Sequence, residues 1–162
     1  GLHGEGNDLY CSECGARVRF DEYGFFEKVN NADKLPENVS EWSKLQLDMI
    51  KSKDYSAFVD TPVFSDDNVK INLCERAKRQ QLLGTGSIAL YNDRITAGEL
   101  TLPLSEITDI AIHGIRKLQI YTENGKMYMI EAAEKTNLLK YMACGYHLKH
   151  KIKNEEDDFF GY

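Results

Sequence analysis

Two periods alternate along this chain. Short apolar–polar alternations at residues 9–11, 17–21 and 25–29 predict three strands. Asp21-Glu22-Tyr23-Gly24 separates the last two, and Gly24 supplies the turn. Residues 1–8 hold three glycines and no apolar period, so they read as a loop. Residues 30–38 form a polar linker that contains Pro36. From Ser40 the period lengthens to that of a helix: Trp42, Leu45, Met49 and Ile50 fall on one stripe. Ser40 is the expected N-cap, and Glu41 lies near the positive end of the helix dipole. The helix should fray over residues 51–54.

Beyond it the period shortens again. Val69-Lys70-Ile71-Asn72-Leu73 alternates cleanly, and residues 82–91 make a long strand in which Gly84 and Gly86 mark a bend or bulge. Asn92-Asp93 turns into a strand at 94–96, and Ala97-Gly98 leads to another at 99–102. Residues 104–107 enter a strand at 108–113. Strands at 117–121 and 126–130 flank Glu123-Asn124-Gly125, a strong hairpin signal. Residues 136–149 are helical, with Leu138, Leu139, Met142, Tyr146 and Leu148 at helical spacing. The order predicts an α+β, mostly β chain: a β-rich front, one helix, six or seven antiparallel strands and a C-terminal helix. A strongly bent antiparallel sheet leaves an open end, which an amphipathic helix can plug.

Composition narrows the function. The 162 residues suit one ordinary domain with a small appendage, and 42% hydrophobic content is enough to bury a core. A net charge of −6 argues against broad nucleic-acid binding, which needs a basic surface. No run approaches the ~18 apolar residues of a membrane span, and residues 1–10 do not resemble a signal peptide. Two cysteines in one motif and two isolated ones make no disulfide framework, so a reducing, cytoplasmic setting is expected.

Cys11-Ser12-Glu13-Cys14-Gly15 is the most informative motif. A Cys-x-x-Cys-Gly turn aims two thiolates at one ion, and it is the knuckle of a zinc ribbon. Zinc takes four ligands in a tetrahedron, and no second Cys-x-x-Cys is present. Cys74 and Cys144 stand alone and are expected to pack as small hydrophobes. The chain opens at Gly1 without a methionine. We therefore expect a fragment cut just after a first knuckle, with zinc complete in the intact parent and absent or partial here. Two chains sharing one ion, or a nitrogen from His3, are the other ways to fill the sphere. The plain alternative is a tight turn with two free thiols. Two basic groups remain: Arg76, Lys78 and Arg79 in one loop, and Lys149, His150, Lys151 and Lys153 near the end. Trp42 is expected in the core, and His113 and His147 in structural roles. No nucleophile–base pair, phosphate loop or paired carboxylate is evident, so no catalytic residue is expected.

Two resemblances extend this. Residues 84–149 resemble the pleckstrin-homology (PH) and GRAM superfamily: Gly84-Thr85-Gly86-Ser87-Ile88-Ala89-Leu90-Tyr91, Leu100-Thr101-Leu102-Pro103-Leu104-Ser105-Glu106-Ile107, the Asn124-Gly125 hairpin and Thr136-Asn137-Leu138-Leu139-Lys140-Tyr141. That implies a PH-like antiparallel barrel capped by the final helix. In such domains that bind phosphoinositides, basic residues gather between the first two strands, where Arg76, Lys78 and Arg79 lie. At the front, Cys-Ser-Glu-Cys-Gly-Ala-Arg-Val-Arg-Phe-Asp-Glu-Tyr-Gly-Phe-Phe (11–26) and Val-Ser-Glu-Trp-Ser-Lys-Leu-Gln (39–46) resemble the C-terminal extension of Firmicutes lysophospholipid acyltransferases, relatives of the 1-acylglycerol-3-phosphate enzymes. In that family a first knuckle precedes a Glu-Gly-x-Gly-x-x-Leu-x-Cys stretch, matched here from Glu5 to Cys11, which implies a missing knuckle upstream. Its catalytic His-x4-Asp region is absent. His3 and Asp8 spell that spacing, but in a glycine-rich segment without a scaffold, and the role is not transferred.

The expected organisation is a truncated zinc-ribbon hairpin (1–30), a linker with a helix (31–55), a PH-like domain (56–153) and an acidic tail (154–162). The expected function is a non-catalytic accessory, regulatory or membrane-positioning domain of a bacterial lysophospholipid acyltransferase. Its partners would be the catalytic domain of the same parent, then a membrane surface or lipid headgroup at the inner face through Arg76, Lys78 and Arg79, and a second copy through the knuckle. A free-standing PH-like adaptor with a zinc knuckle is the alternative.

Overall fold

A computed structural model describes residues 2–30, 35–75, 78–132 and 136–155. The chain divides into two compact units, one ending at Ser52 and one beginning at Lys53.

The first unit is an antiparallel meander, β1 (Leu2–Glu5), β2 (Asp8–Cys11), β3 (Arg17–Phe20) and β4 (Phe26–Asn30), followed by helix α1 (Val39–Ser52). The loop expected at residues 1–8 is instead a hairpin. Glu5 pairs with Asp8, and Gly6 at φ 60° occupies the first central position of the turn, which only glycine fills without strain. The helix is capped two residues earlier than expected. Asn38 Oδ1 accepts the Glu41 N–H at 2.9 Å, and Glu41 Oε2 in turn accepts the Glu37 N–H at 3.0 Å. This is a reciprocal cap, and Ser40 already lies inside the first turn. The Phe26 N–H donates to the Glu37 carbonyl at 2.9 Å, fastening the helix entry to β4.

Little is buried in this unit. Val18 and Ala16 are its buried apolar side chains among the described residues, and α1 buries none. Trp42 is half-buried, meeting Phe26 edge-on at 5.8 Å, and Phe26 meets Phe20 at 5.7 Å. Leu45 and Met49, expected on the packed stripe, are exposed.

The second unit holds β5 (Phe64–Cys74), β6 (Gln81–Leu90), β7 (Arg94–Ala97), β8 (Leu100–Pro103), a 3₁₀ turn at Leu104–Glu106, β9 (Ile107–His113), β10 (Lys117–Thr122), β11 (Met127–Glu131) and α2 (Leu139–Lys153). The strands form one antiparallel sheet in the order β8-β7-β6-β5-β11-β10-β9. The long β5 sits at its centre and pairs on both sides. Among the described residues β8 and β9 are edges, so the expected barrel is an open sheet. β5 starts earlier than its alternation indicates, because a bulge between Asp66 and Val69, with Asn68 at φ 60°, breaks the period.

One face of the sheet carries Ile71, Ile88, Leu90, Ile110, Leu118, Ile120 and Ile130, all buried. Helix α2 packs on β9 and the 3₁₀ turn, burying Leu138, Tyr141, Met142, Cys144 and Leu148. Leu139, expected on that stripe, is exposed, and Tyr141 takes its place as a fully buried side chain.

Candidate functional site

The β2–β3 hairpin carries the cysteine pair. The Cys11 N–H donates to the Ala16 carbonyl at 2.8 Å, and the Gly15 N–H donates to the Cys11 carbonyl at 2.9 Å, with Gly15 at φ 71°. The backbone therefore wraps the turn back on itself. Backbone N–H groups of Cys14 and Glu13 bond to the Cys11 sulfur, and the Cys14 side chain adds a third contact. These hold the Cys11 thiol below its ordinary value. Cys11 is half-buried, Cys14 is exposed, and both are free thiols. Oriented backbone donors around a paired thiolate suit a metal knuckle, so the two residues fit half of a tetrahedral zinc site. Among the described residues no group of three or more histidine, cysteine or acidic side chains gathers. The β1–β2 register sets Leu2 opposite Cys11 and His3 opposite Tyr10.

Asp8 braces the same hairpin. Its carboxylate accepts bonds from Arg17 Nε at 2.9 Å and Arg19 Nε at 2.7 Å, with a further contact from each guanidinium. Those bonds, Arg19 first, hold its carboxyl down at about 2. Asp8 is 6% exposed and spends both oxygens on β3. It is a strut between strands.

In the basic loop one cation is paired. Lys78 pairs with Glu75 at 2.9 Å, Arg79 is exposed, and Arg76 lies outside the described residues. The second basic group is also largely spent. The Lys149 ammonium is buried and donates to the Thr108 carbonyl at 2.9 Å. His150 Nδ1 lies 3.6 Å from Glu155, and Lys153 pairs with Glu123 at 3.0 Å.

Two buried contacts escaped the sequence. The Cys144 thiol donates to the Tyr55 hydroxyl at 3.2 Å, and burial pushes both groups up. The Tyr141 hydroxyl donates to Asp66 Oδ2 at 2.6 Å, and the Lys140 ammonium reaches the same oxygen at 2.6 Å. Burial first, then Asp66, pushes the Tyr141 phenol up, so it stays neutral and acts as a peg. No spacing rule links residues so far apart. The β5 bulge, visible only as the polar run Ser65-Asp66-Asp67-Asn68, was the available hint.

No protein-family model matches the chain, and no curated protein matches it. Among the described residues no helix is long and apolar enough to cross a membrane.

Proposed function

We propose that this chain is a non-catalytic positioning module, built from a zinc-knuckle hairpin and a PH-like domain, of a bacterial lysophospholipid acyltransferase. The observation that carries it is the knuckle itself: a turn already folded around Cys11, with Cys14 exposed beside it and half a coordination sphere to offer. Such a turn can hold an ion where other thiolates meet it. In the parent, a second knuckle upstream of Gly1 supplies them, and zinc then contributes folding energy to a unit with little core. The PH-like reading of the second unit draws support from its meander order, its central β5 and its closing helix α2.

The chemistry, transfer of an acyl chain from a thioester to a lysophospholipid hydroxyl, belongs to the parent's catalytic domain. This chain positions that domain at the inner face of the membrane, chiefly through protein contacts. Lys78 is neutralised by Glu75, whereas Tyr23, Phe25, Met49, Leu82 and Ile115 are exposed. The same exposed set favours the second reading, a free-standing adaptor. Sequencing the gene upstream of Gly1 separates the two. A His-x4-Asp acyltransferase domain followed by a Cys-x-x-Cys is expected, and a start codon directly before the knuckle overturns the accessory role.

A further inference from the structure

We infer that two copies of this chain close one zinc site between them, each giving the Cys11 and Cys14 thiolates of its β2–β3 turn. The inference rests on the metal reading of the knuckle proposed above. It adds that, in the 162-residue chain, a second copy takes the place that the upstream knuckle holds in the parent.

Two thiolates fill half of a tetrahedron. Among the described residues no third donor joins the pair. Cys144 is fully buried in the second unit and bonded to Tyr55, and Cys74 is half-buried on β5. The open side of the turn is accessible: Ser12, Glu13, Cys14 and Gly15 are all exposed. The backbone bonds that shape the turn lie within it, so it is formed before any partner arrives.

A two-fold axis through the ion satisfies these facts together. Two identical thiolate pairs, related by that axis, make the four-sulfur tetrahedron that structural zinc prefers. The contact uses the same patch on both copies, as a closed dimer requires. Each thiol gives its proton to the buffer as it binds. The first unit, whose buried apolar side chains are Val18 and Ala16, gains stability from such a staple.

The test is an anaerobic titration of the reduced, metal-free chain with Zn²⁺, and separately with Co²⁺, followed by native mass spectrometry and sedimentation velocity. Saturation at one ion per two chains is expected, with a dimer that forms only with metal and reverts with a chelator. Co²⁺ should give the intense thiolate charge-transfer bands of a four-sulfur site. Cys14→Ser should lose both ion and dimer, and Cys74→Ser should keep both. One ion held by a monomer overturns the shared site and leaves the metal reading standing. A dimer that forms without metal, or one lost in Cys74→Ser, also overturns it. Failure to bind either ion overturns the shared site and the metal reading together. The titration of the unmodified chain decides between these outcomes without any variant.

Discussion

In the second unit Ile88, Leu90, Ile95, Leu118, Ile120 and Ile130 are fully buried, and α2 adds Tyr141 and Leu138. In the first, Val18 is the only apolar side chain buried to that degree among the described residues, and α1 contributes none. One unit is held by area removed from water. The other is held by Asp8 bridging two arginines, a reciprocal helix cap, an aromatic contact between Phe26 and Trp42, and the backbone bonds of the Cys11–Ala16 turn. A domain of some fifty residues buries too small a share of its surface to be robust without staples. The comparison teaches where each unit is vulnerable: the second to cavities, the first to loss of individual polar ties.

That contrast can be broken by mutation. Ile130→Ala, at the heart of the large sheet, should cost roughly 2–5 kcal/mol. In denaturant unfolding followed by hydrogen exchange, β5, β10 and β11 should lose protection while residues 2–30 keep theirs. Equal loss in both would show the two units to be one cooperative body. Gly98→Val should come next, at about 1–3 kcal/mol. Gly98 stands at φ 56°, and a Cβ there would lie 2.8 Å from Ile71 Cδ1. The thermal midpoint of the second unit is the readout, and no change would mean that the turn relaxes freely.

Asn38→Ala should cost about 1 kcal/mol, felt as faster exchange across 39–52 and lower helicity by circular dichroism. Acid offers a graded lever on the first unit. The Asp8 carboxyl is depressed, so its contribution is complete above the ordinary value of 3.8 and is lost as pH falls toward about 2. Exchange protection of β2 and β3 should decline over that interval, and Asp8→Asn should remove the pH dependence. The smallest effect belongs to Lys78→Ala. Its exposed pair with Glu75 is worth less than about 1 kcal/mol, and pelleting of the chain with anionic vesicles should not change. A clear loss of pelleting would return the basic loop to consideration as a lipid contact.

The sequence made the second unit legible because its strands alternate and its turns carry the right residues. Glu123-Asn124-Gly125 was read as a hairpin, and Gly125 sits at φ 77° between β10 and β11. Where polar side chains do the work, the pattern is silent. The start of β5 hides in Ser65-Asp66-Asp67-Asn68, since Asp66 turns toward Tyr141 and Lys140 and not toward solvent alone. β1 hides behind glycines that were counted as loop, although Gly6-Asn7 is itself a two-residue hairpin connection. The α1 stripe misled in the opposite sense: Leu45 and Met49 have helical spacing but remain exposed, because amphipathicity states what a helix can bury and not that a partner is present. Of the candidate site, the two thiols were legible from spacing. Their register against β1, and the neutralisation of Lys78, depend on cross-strand and loop geometry that no linear pattern contains.

The contact between Tyr55 and Cys144 fixes where the second unit takes hold of the chain. Tyr55 follows closely after Ser52, the last residue of α1, and is locked into the middle of α2. The segment that leaves α1 is therefore tied down at a buried tyrosine nine residues before β5 begins at Phe64.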